Sequence, residues 1–270
     1  MHVLLTGASG SVGGFLLPVL RAAGHRVTTL GRRPGNHPWD LADPAPRLPP
    51  ADALVHAALA HVPGRFRGGE GDDPDGFRRL NLDGTLRLLD AAGAARIVFL
   101  SSRAVYGDGR RGEILRETDP PAPDSLYGEV KLAGEAATAA HGGVALRATG
   151  VYGGQPHKWQ ALFDAYLRGE PVAPRRATEV HGADLAAAVL FALDPRAGDV
   201  LNVSDLLLDR HDLFARVRAI TGSPHPPPPP AEGTSLGVMA TDRLRALGWR
   251  PGGLPRLEAF LAEALAAQER

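Results

Sequence analysis

The sequence predicts an α/β fold, a doubly wound parallel sheet with helices on both faces and a small C-terminal lobe. Three observations carry that prediction. Short apolar runs rich in β-branched residues alternate with longer helical stretches. A glycine-rich turn joins the first apolar run directly to the first helical stretch. The 270 residues, 44% of them apolar, are enough for one large domain with an appended lobe.

The predicted strands are 2–6, 26–30, 53–57, 96–101, 144–148 and 200–203. They read as nearly continuous apolar runs because a strand covered by helices on both faces has no solvent side to alternate with. Between them lie the helices. One spans 11–23 and is closed by Gly24; the next spans 76–92, with Leu80, Leu82, Leu86, Leu88 and Leu89 near helical spacing. A third covers 125–140, opened by Asp124 or Ser125 as cap after Pro120, Pro121 and Pro123. Later helices are expected over 159–168, 183–193, 212–220 and 254–267.

From about Tyr152 the alternation loosens. The expected division is a domain of residues 1–150, to which 180–206 return, and a small lobe of 151–179 and 207–270. Five consecutive prolines, Pro226 to Pro230, favour a polyproline II spacer, with a partner-docking ligand as the alternative.

Thirty basic and thirty acidic side chains cancel, which leaves no electrostatic footprint for nucleic acid or an anionic membrane and points to a small-molecule partner. The absence of cysteine excludes disulfides and thiolate chemistry. The first residues read as a strand rather than a leader, and no apolar run reaches membrane-spanning length, so a cytoplasmic protein is expected. No metal is expected either, because His56 and His61 are five apart, the wrong spacing for a helical ligand pair. Arginine dominates the cations: Lys131 and Lys158 are the two lysines.

Two constellations suggest chemistry. The first is Thr6-Gly7-Ala8-Ser9-Gly10-Ser11-Val12-Gly13, in which glycines let backbone N–H groups approach a pyrophosphate at a helix N-terminus, the signature of a Rossmann-type dinucleotide site. Gly7, Ser9, Gly10, Ser11, Val12 and Gly13 are its candidate residues. After the second strand comes Gly31-Arg32-Arg33, where an NAD-binding chain usually places a carboxylate. Two guanidiniums there predict NADP(H), with NAD(H) possible. The second constellation is Tyr127 and Lys131, four apart on one helix face, where an ammonium near the phenol lowers its pKa toward general acid–base use. A serine at the end of the fourth strand, Ser101 or Ser102, sits where open parallel sheets present ligands.

The order and spacing of these motifs resemble the extended short-chain dehydrogenase/reductase family, also called the NAD-dependent epimerase/dehydratase family, almost from end to end. Val105-Tyr106-Gly107, Leu146-Arg147, Val151-Tyr152-Gly153, His181 with Asp184, Asn202-Val203 and Leu247-Gly248-Trp249 continue the likeness. The resemblance implies that Asp40-Leu41 contact the adenine, that His56-Ala57-Ala58 lie beside the cofactor ribose, and that Asn81 belongs to the site. It favours Ser102 over Ser101, makes Ser102, Tyr127 and Lys131 catalytic, and gives Tyr127 and Lys131 cofactor contacts, with Lys131 on the nicotinamide ribose.

Departures from the family pattern bear on the substrate. Arg103-Ala104 stand where sugar-nucleotide dehydratases carry Asp-Glu, which disfavours dehydration. Gly150 replaces an asparagine and Ala177 an arginine that help hold a nucleotide diphosphate, so an ordinary nucleotide sugar is not the expected substrate unless Arg175 or Arg176 compensates. Arg103, Gly150, Trp159, Arg175 and Arg176 are the candidate substrate residues. The function implied is hydride transfer at a carbonyl or secondary alcohol of a sugar-like molecule. A nucleotide-sugar epimerase with retained NAD and a non-catalytic dinucleotide sensor are the alternatives. A homodimer through the helices at 76–92 and 125–140 is also implied.

Overall fold

The computed structural model describes residues 1–33, 37–62, 69–93, 95–232 and 236–266. The first five strands are β1 (His2–Thr6), β2 (Arg26–Gly31), β3 (His37–Pro38), β4 (Ala53–His56) and β5 (Arg96–Ser102). Then come β6 (Ile114–Leu115), β7 (Val144–Ala148), β8 (Gly150–Tyr152), β9 (Arg176–His181), β10 (Val200–Val203), β11 (Leu206–Asp209) and β12 (Val238–Met239).

Seven strands form one sheet in the order β10-β7-β5-β4-β1-β2-β3, and each neighbouring pair is parallel. The chain winds outward from β1 through β2 and β3, then returns to β4 and winds the other way. The strand order reverses between β1 and β4, so a crevice opens beyond their C-terminal ends, where open α/β sheets bind ligands. Both faces are covered. On one, Leu16 and Leu20 of helix α1 (Gly13–Ala22) share a core with Val3, Leu5 and Val55; on the other, Leu88 and Leu89 pack with Leu4, Leu54 and Ile97.

The stretch expected as one helix over 76–92 is helical throughout, with a π-helical turn inside it. Helix α2 (Pro74–Arg78), capped by the Asp73 carboxylate on Gly76 N, passes through a π-helical turn, Arg79–Asp83, into α3 (Gly84–Ala92). The turn carries Asn81, whose side chain holds the backbone of Ala60. Helix α4 (Leu126–Ala140) is capped by Ser125 rather than Asp124: the Ser125 hydroxyl accepts from Gly128 N at 3.2 Å, while Asp124 accepts from Asp108 N.

The remaining helices are α5 (Gln160–Leu167), α6 (Gly182–Ala192), α7 (Arg210–Thr221), α8 (Asp242–Ala246) and α9 (Gly253–Ala266). Helix α6 packs in the main core with Leu185 and Val189. A separate apolar cluster joins Tyr152, Trp159, Phe163, Phe214, Phe260 and Leu261. Beside it lies a three-stranded sheet, β11-β9-β8, which the sequence did not announce because its strands are short and carry Arg176 and Glu179. The proline run is fastened to this cluster rather than held away from it. The His225 carbonyl accepts from Tyr166 Oη, the Pro228 carbonyl from His211 Nδ1, and Ala231 N donates to Asp209.

Candidate active site

The glycine turn has little room for side chains. Gly7 has φ +71° and its missing Cβ would lie 2.7 Å from the Ala57 backbone; a Cβ on Gly13 would lie 2.0 Å from the Gly7 carbonyl oxygen. The chain therefore folds tightly from β1 into α1. Ser9, Gly10 and Ser11 are left exposed at the helix N-terminus, and no side chain caps that end at Val12. Unpaired N–H groups at a helix N-terminus are the elements of an anion site, and they fit the pyrophosphate of a dinucleotide.

Around this turn the neighbouring residues serve the scaffold. Ala57 N and Ala58 N both donate to the Thr6 hydroxyl at 3.1 Å. His56 is buried, with Nδ1 paired to Thr6 Oγ1 at 2.7 Å and Nε2 to Thr85 Oγ1 at 2.8 Å. Burial, and secondarily the Lys131 charge, push its pKa down to about 3, so it stays neutral. Both ring nitrogens of His56 are thus engaged within the scaffold. Asn81 is likewise committed, its amide pairing with both the N–H and the carbonyl of Ala60. Leu41 lies in the core beside Trp39, and its carbonyl accepts from Arg87.

At the end of β2, Arg32 and Arg33 are exposed. Arg32 Nε lies 3.3 Å from Asp40 Oδ2, so the carboxylate absent from position 31 is supplied from beyond β3. Asp40 thus meets an arginine that was expected to chelate a phosphate.

Ser102, Tyr127 and Lys131 come together. Ser102 ends β5 and Tyr127 lies in the first turn of α4, close enough that the serine side chain acts on the phenol. Lys131, one turn further on, is buried; its Nζ donates to the Leu100 carbonyl at 2.6 Å and sits 5.9 Å from the Tyr127 ring centroid. Ser101 is the wrong serine for this cluster, since its hydroxyl donates to Glu135 on the buried side.

The expected lowering of the Tyr127 pKa is not found. Burial raises it, the Ser102 side chain only partly offsets this, and Glu70 raises it further. The physical reason is visible in Lys131, whose ammonium is tied to the strand and is itself pushed down to about 8 by burial, against the opposing charge of Glu135. Glu70 gave no signal in the sequence. It comes from the segment after β4, and its carboxylate accepts from Tyr127 N at 3.1 Å. Glu135 did leave one, being four residues beyond Lys131 on the same helix face.

The candidate substrate residues separate. Arg103 is spent elsewhere, donating to the Gly237 carbonyl and to Asp108. Arg176 pairs with Asp209. Arg175 and Trp159, in contrast, line a small cavity with Glu179 and Arg210. Gly150 stands beside it, two residues past Ala148, the register partner of Ser102. A Cβ at Gly150 would lie 2.7 Å from Glu179 and 3.0 Å from Lys158, which form a close ion pair. Lys158 and Glu179 therefore occupy the space that an asparagine side chain at position 150 would need.

Comparison with known proteins identifies the family. Residues 3–204 match the model of the NAD dependent epimerase/dehydratase family. The chain belongs to that family. A UDP-glucose 4-epimerase of Lacticaseibacillus casei is 32% identical over 50% of this family member and 45% of its own length. A 3 beta-hydroxysteroid dehydrogenase/Delta 5-->4-isomerase of Mycobacterium tuberculosis is 30% identical over 76% of the chain and 65% of its own length. The chain thus spans less than two thirds of either relative. Among solved structures, MoeE5 in complex with UDP-glucose and NAD is 26% identical, covers 100% of both chains and superposes with a TM-score of 0.78. The Thermus thermophilus UDP-glucose 4-epimerase complex with NAD is also 26% identical, with a TM-score of 0.77 over 98% of both chains.

These family structures overturn the expected preference for NADP(H): they hold NAD. The Arg32–Asp40 contact supplies the reason, because a carboxylate at the end of β2 both occupies a guanidinium and repels a 2′-phosphate. The family member contains, among the described residues, no helix long and apolar enough to cross a membrane.

Proposed function

We propose that this chain is an NAD-dependent oxidoreductase that transfers hydride at a secondary alcohol or carbonyl of a sugar-like molecule, with Ser102, Tyr127 and Lys131 as its catalytic residues. The observation that carries the reading is the convergence of Ser102 at the C-terminal end of β5, whose side chain acts on the Tyr127 phenol, with Lys131, whose Nζ lies 5.9 Å from the Tyr127 ring centroid. The turn 7–13 binds the pyrophosphate, and Asp40 selects the adenosine ribose. NAD, when bound, supplies the hydride acceptor or donor.

Each residue then has a defined task. Tyr127 Oη passes the proton to or from the substrate oxygen. Ser102 donates to the same oxygen and holds it in register with Tyr127. Lys131, fixed beside the Tyr127 ring, holds the nicotinamide ribose, as the family resemblance implies.

The substrate carries an anionic group, of which a nucleotide diphosphate is the best-supported case. Lys158, Arg175 and Arg210 surround the one carboxylate of Glu179, so three cations face one anion. MoeE5 was solved with UDP-glucose and with UDP-glucuronic acid. The expectation against nucleotide sugars, drawn from Gly150 and Ala177, is therefore not kept, since cations from other positions stand at that place. The lobe of 151–179 and 207–270 is proposed as the substrate-binding part. A homodimer through the helices of 76–92 and 125–140 is proposed too, and the shallow apolar groove that Leu132, Ala133, Ala136 and Ala139 line on the second of them supports it.

The test is incubation of the purified chain with NAD and a panel of UDP-sugars and free sugars, following NADH and the sugar products. Net redox accumulates NADH; epimerisation, favoured by the Lacticaseibacillus and Thermus relatives, interconverts sugars without it. No turnover of any panel member, or unchanged turnover in Tyr127→Phe, would overturn the reading.

A further inference from the structure

The turn that follows β3 carries Asp40, and one side chain of α3 holds it. Residues 40–43 close on themselves: Asp40 N donates to Asp43 Oδ2 at 2.7 Å, Ala42 N to Asp40 Oδ1 at 2.9 Å, and Asp43 N to the Asp40 carbonyl at 3.0 Å. These bonds are local, so they make the turn a compact unit without fixing where it lies on the molecule. Arg87 supplies that link. Half-buried on α3, it donates through Nη2 to the Leu41 carbonyl at 2.9 Å and through Nε to the Asp43 carbonyl at 3.0 Å, so one planar guanidinium spans two carbonyls of the turn. Gly84, one turn earlier on the same helix face, leaves the room: a Cβ there would lie 2.4 Å from the Leu41 carbonyl oxygen.

Attachment alone does not require the arginine. Trp39 and Leu41 are buried in one apolar cluster with Leu88 and Leu89 of the same helix, and that packing already holds the turn against α3. Apolar contact has no direction, however, and leaves a peptide plane free to turn, whereas hydrogen bonds fix it. The Leu41–Ala42 peptide is bound at both ends, its C=O by Arg87 and its N–H by the Asp40 carboxylate. Rotating that peptide would break both bonds. A guanidinium on the oxygen also polarises the N–H into a better donor, which strengthens its hold on Asp40 Oδ1. The other oxygen, Oδ2, is left facing outward toward the exposed Arg32.

We propose that Arg87 is a positioning residue for the cofactor: by holding the Leu41–Ala42 peptide it aims the Asp40 carboxylate at the adenosine ribose. It acts through Asp40 and not by contact of its own. The inference rests on the reading of Asp40 as the residue that meets that ribose, and its test is a binding measurement that does not depend on turnover.

ADP-ribose, which carries the adenosine half of the cofactor without the nicotinamide, is titrated calorimetrically into the full chain and its variants. Asp40→Ala should weaken binding about tenfold and Arg87→Met about fivefold. In the Asp40→Ala background, Arg87→Met should cost less than about twofold, because the residue through which it acts is gone. A merely structural arginine would weaken binding by the same factor in both backgrounds. Arg87→Lys should fall between Arg87→Met and wild type, since an ammonium is a point donor that does not span both carbonyls. Should Arg87→Met fail to fold, Arg87→Lys is taken through the same cycle, and its smaller loss should likewise vanish without Asp40. ADP-ribose bound equally by wild type and Asp40→Ala removes the reading of Asp40. A loss from the Arg87 variant as large without Asp40 as with it, or no loss in either background, leaves that reading standing and overturns this proposal.

Discussion

Lys131 Nζ donates to the carbonyl oxygen of Leu100 at 2.6 Å, two residues before Ser102 on the same strand. The ammonium is therefore fixed to the strand that carries the serine, and strand and helix meet beside Ser102 and Tyr127. Tyr127→Phe keeps the ring and removes the transferable proton, so kcat should fall by roughly 10²–10⁴-fold with NAD affinity nearly unchanged. Ser102→Ala removes a donor and should cost roughly 10²–10³-fold in kcat. Lys131→Met should lower both kcat and NAD affinity. Steady-state kinetics and a fluorescence titration of NADH check all three, and weak NADH binding in Tyr127→Phe would contradict the division of roles.

Asp40 should set cofactor choice. Asp40→Asn removes the carboxylate beside Arg32 and frees the guanidinium for a 2′-phosphate. The ratio of NADPH to NADH affinity should rise by roughly two- to five-fold, modest because the pair is solvent-exposed. An unchanged ratio would show that Asp40 plays no part in the discrimination.

Gly13 should tolerate no side chain. A Cβ there would approach the Gly7 carbonyl oxygen to 2.0 Å and the Ala8 Cα to 2.6 Å, both rigid backbone atoms. Gly13→Ala should cost about 1–3 kcal/mol of stability and open the turn, so NAD binding should weaken beyond what the lowered Tm explains. Gly14→Ala, where a Cβ meets nothing within 4 Å, is the control and should be silent on both counts.

His56 should make stability depend on acid pH. Its pKa in the fold, about 3, lies below the ordinary 6.5. Between those values the unfolded chain binds a proton that the folded chain refuses, so stability falls as pH drops from 6.5 toward 3, by at most about 5 kcal/mol. Urea unfolding of wild type and His56→Gln across that window measures it. A slope that is no flatter in the variant would assign the acid sensitivity to other groups.

The glycine turn, the parallel sheet and the tyrosine–lysine pair were legible because each is written in adjacent residues or in one helical turn. Periodicity along α4 puts Tyr127 and Lys131 on one face whatever surrounds them, and the same spacing extends to Glu135. The π-helical turn at Arg79–Asp83 was not legible. It carries Asn81, which reaches Ala60 across 21 residues of chain.

What the sequence by itself determined was therefore the order of elements, the location of the glycine turn and the identity of the helix and strand that carry Ser102, Tyr127 and Lys131. Those follow from local propensity and short-range spacing. The tertiary structure decided the rest: that Asp40 meets Arg32, that His56 is spent on Thr6 and Thr85, that Glu70 reaches Tyr127, and that Lys158 and Glu179 fill the space beside Gly150. Each of these joins residues that lie apart in the chain, and each alters charge or space only through burial and distance. A residue's type states which charge it can carry; its neighbours in space decide whether that charge is held, cancelled or suppressed.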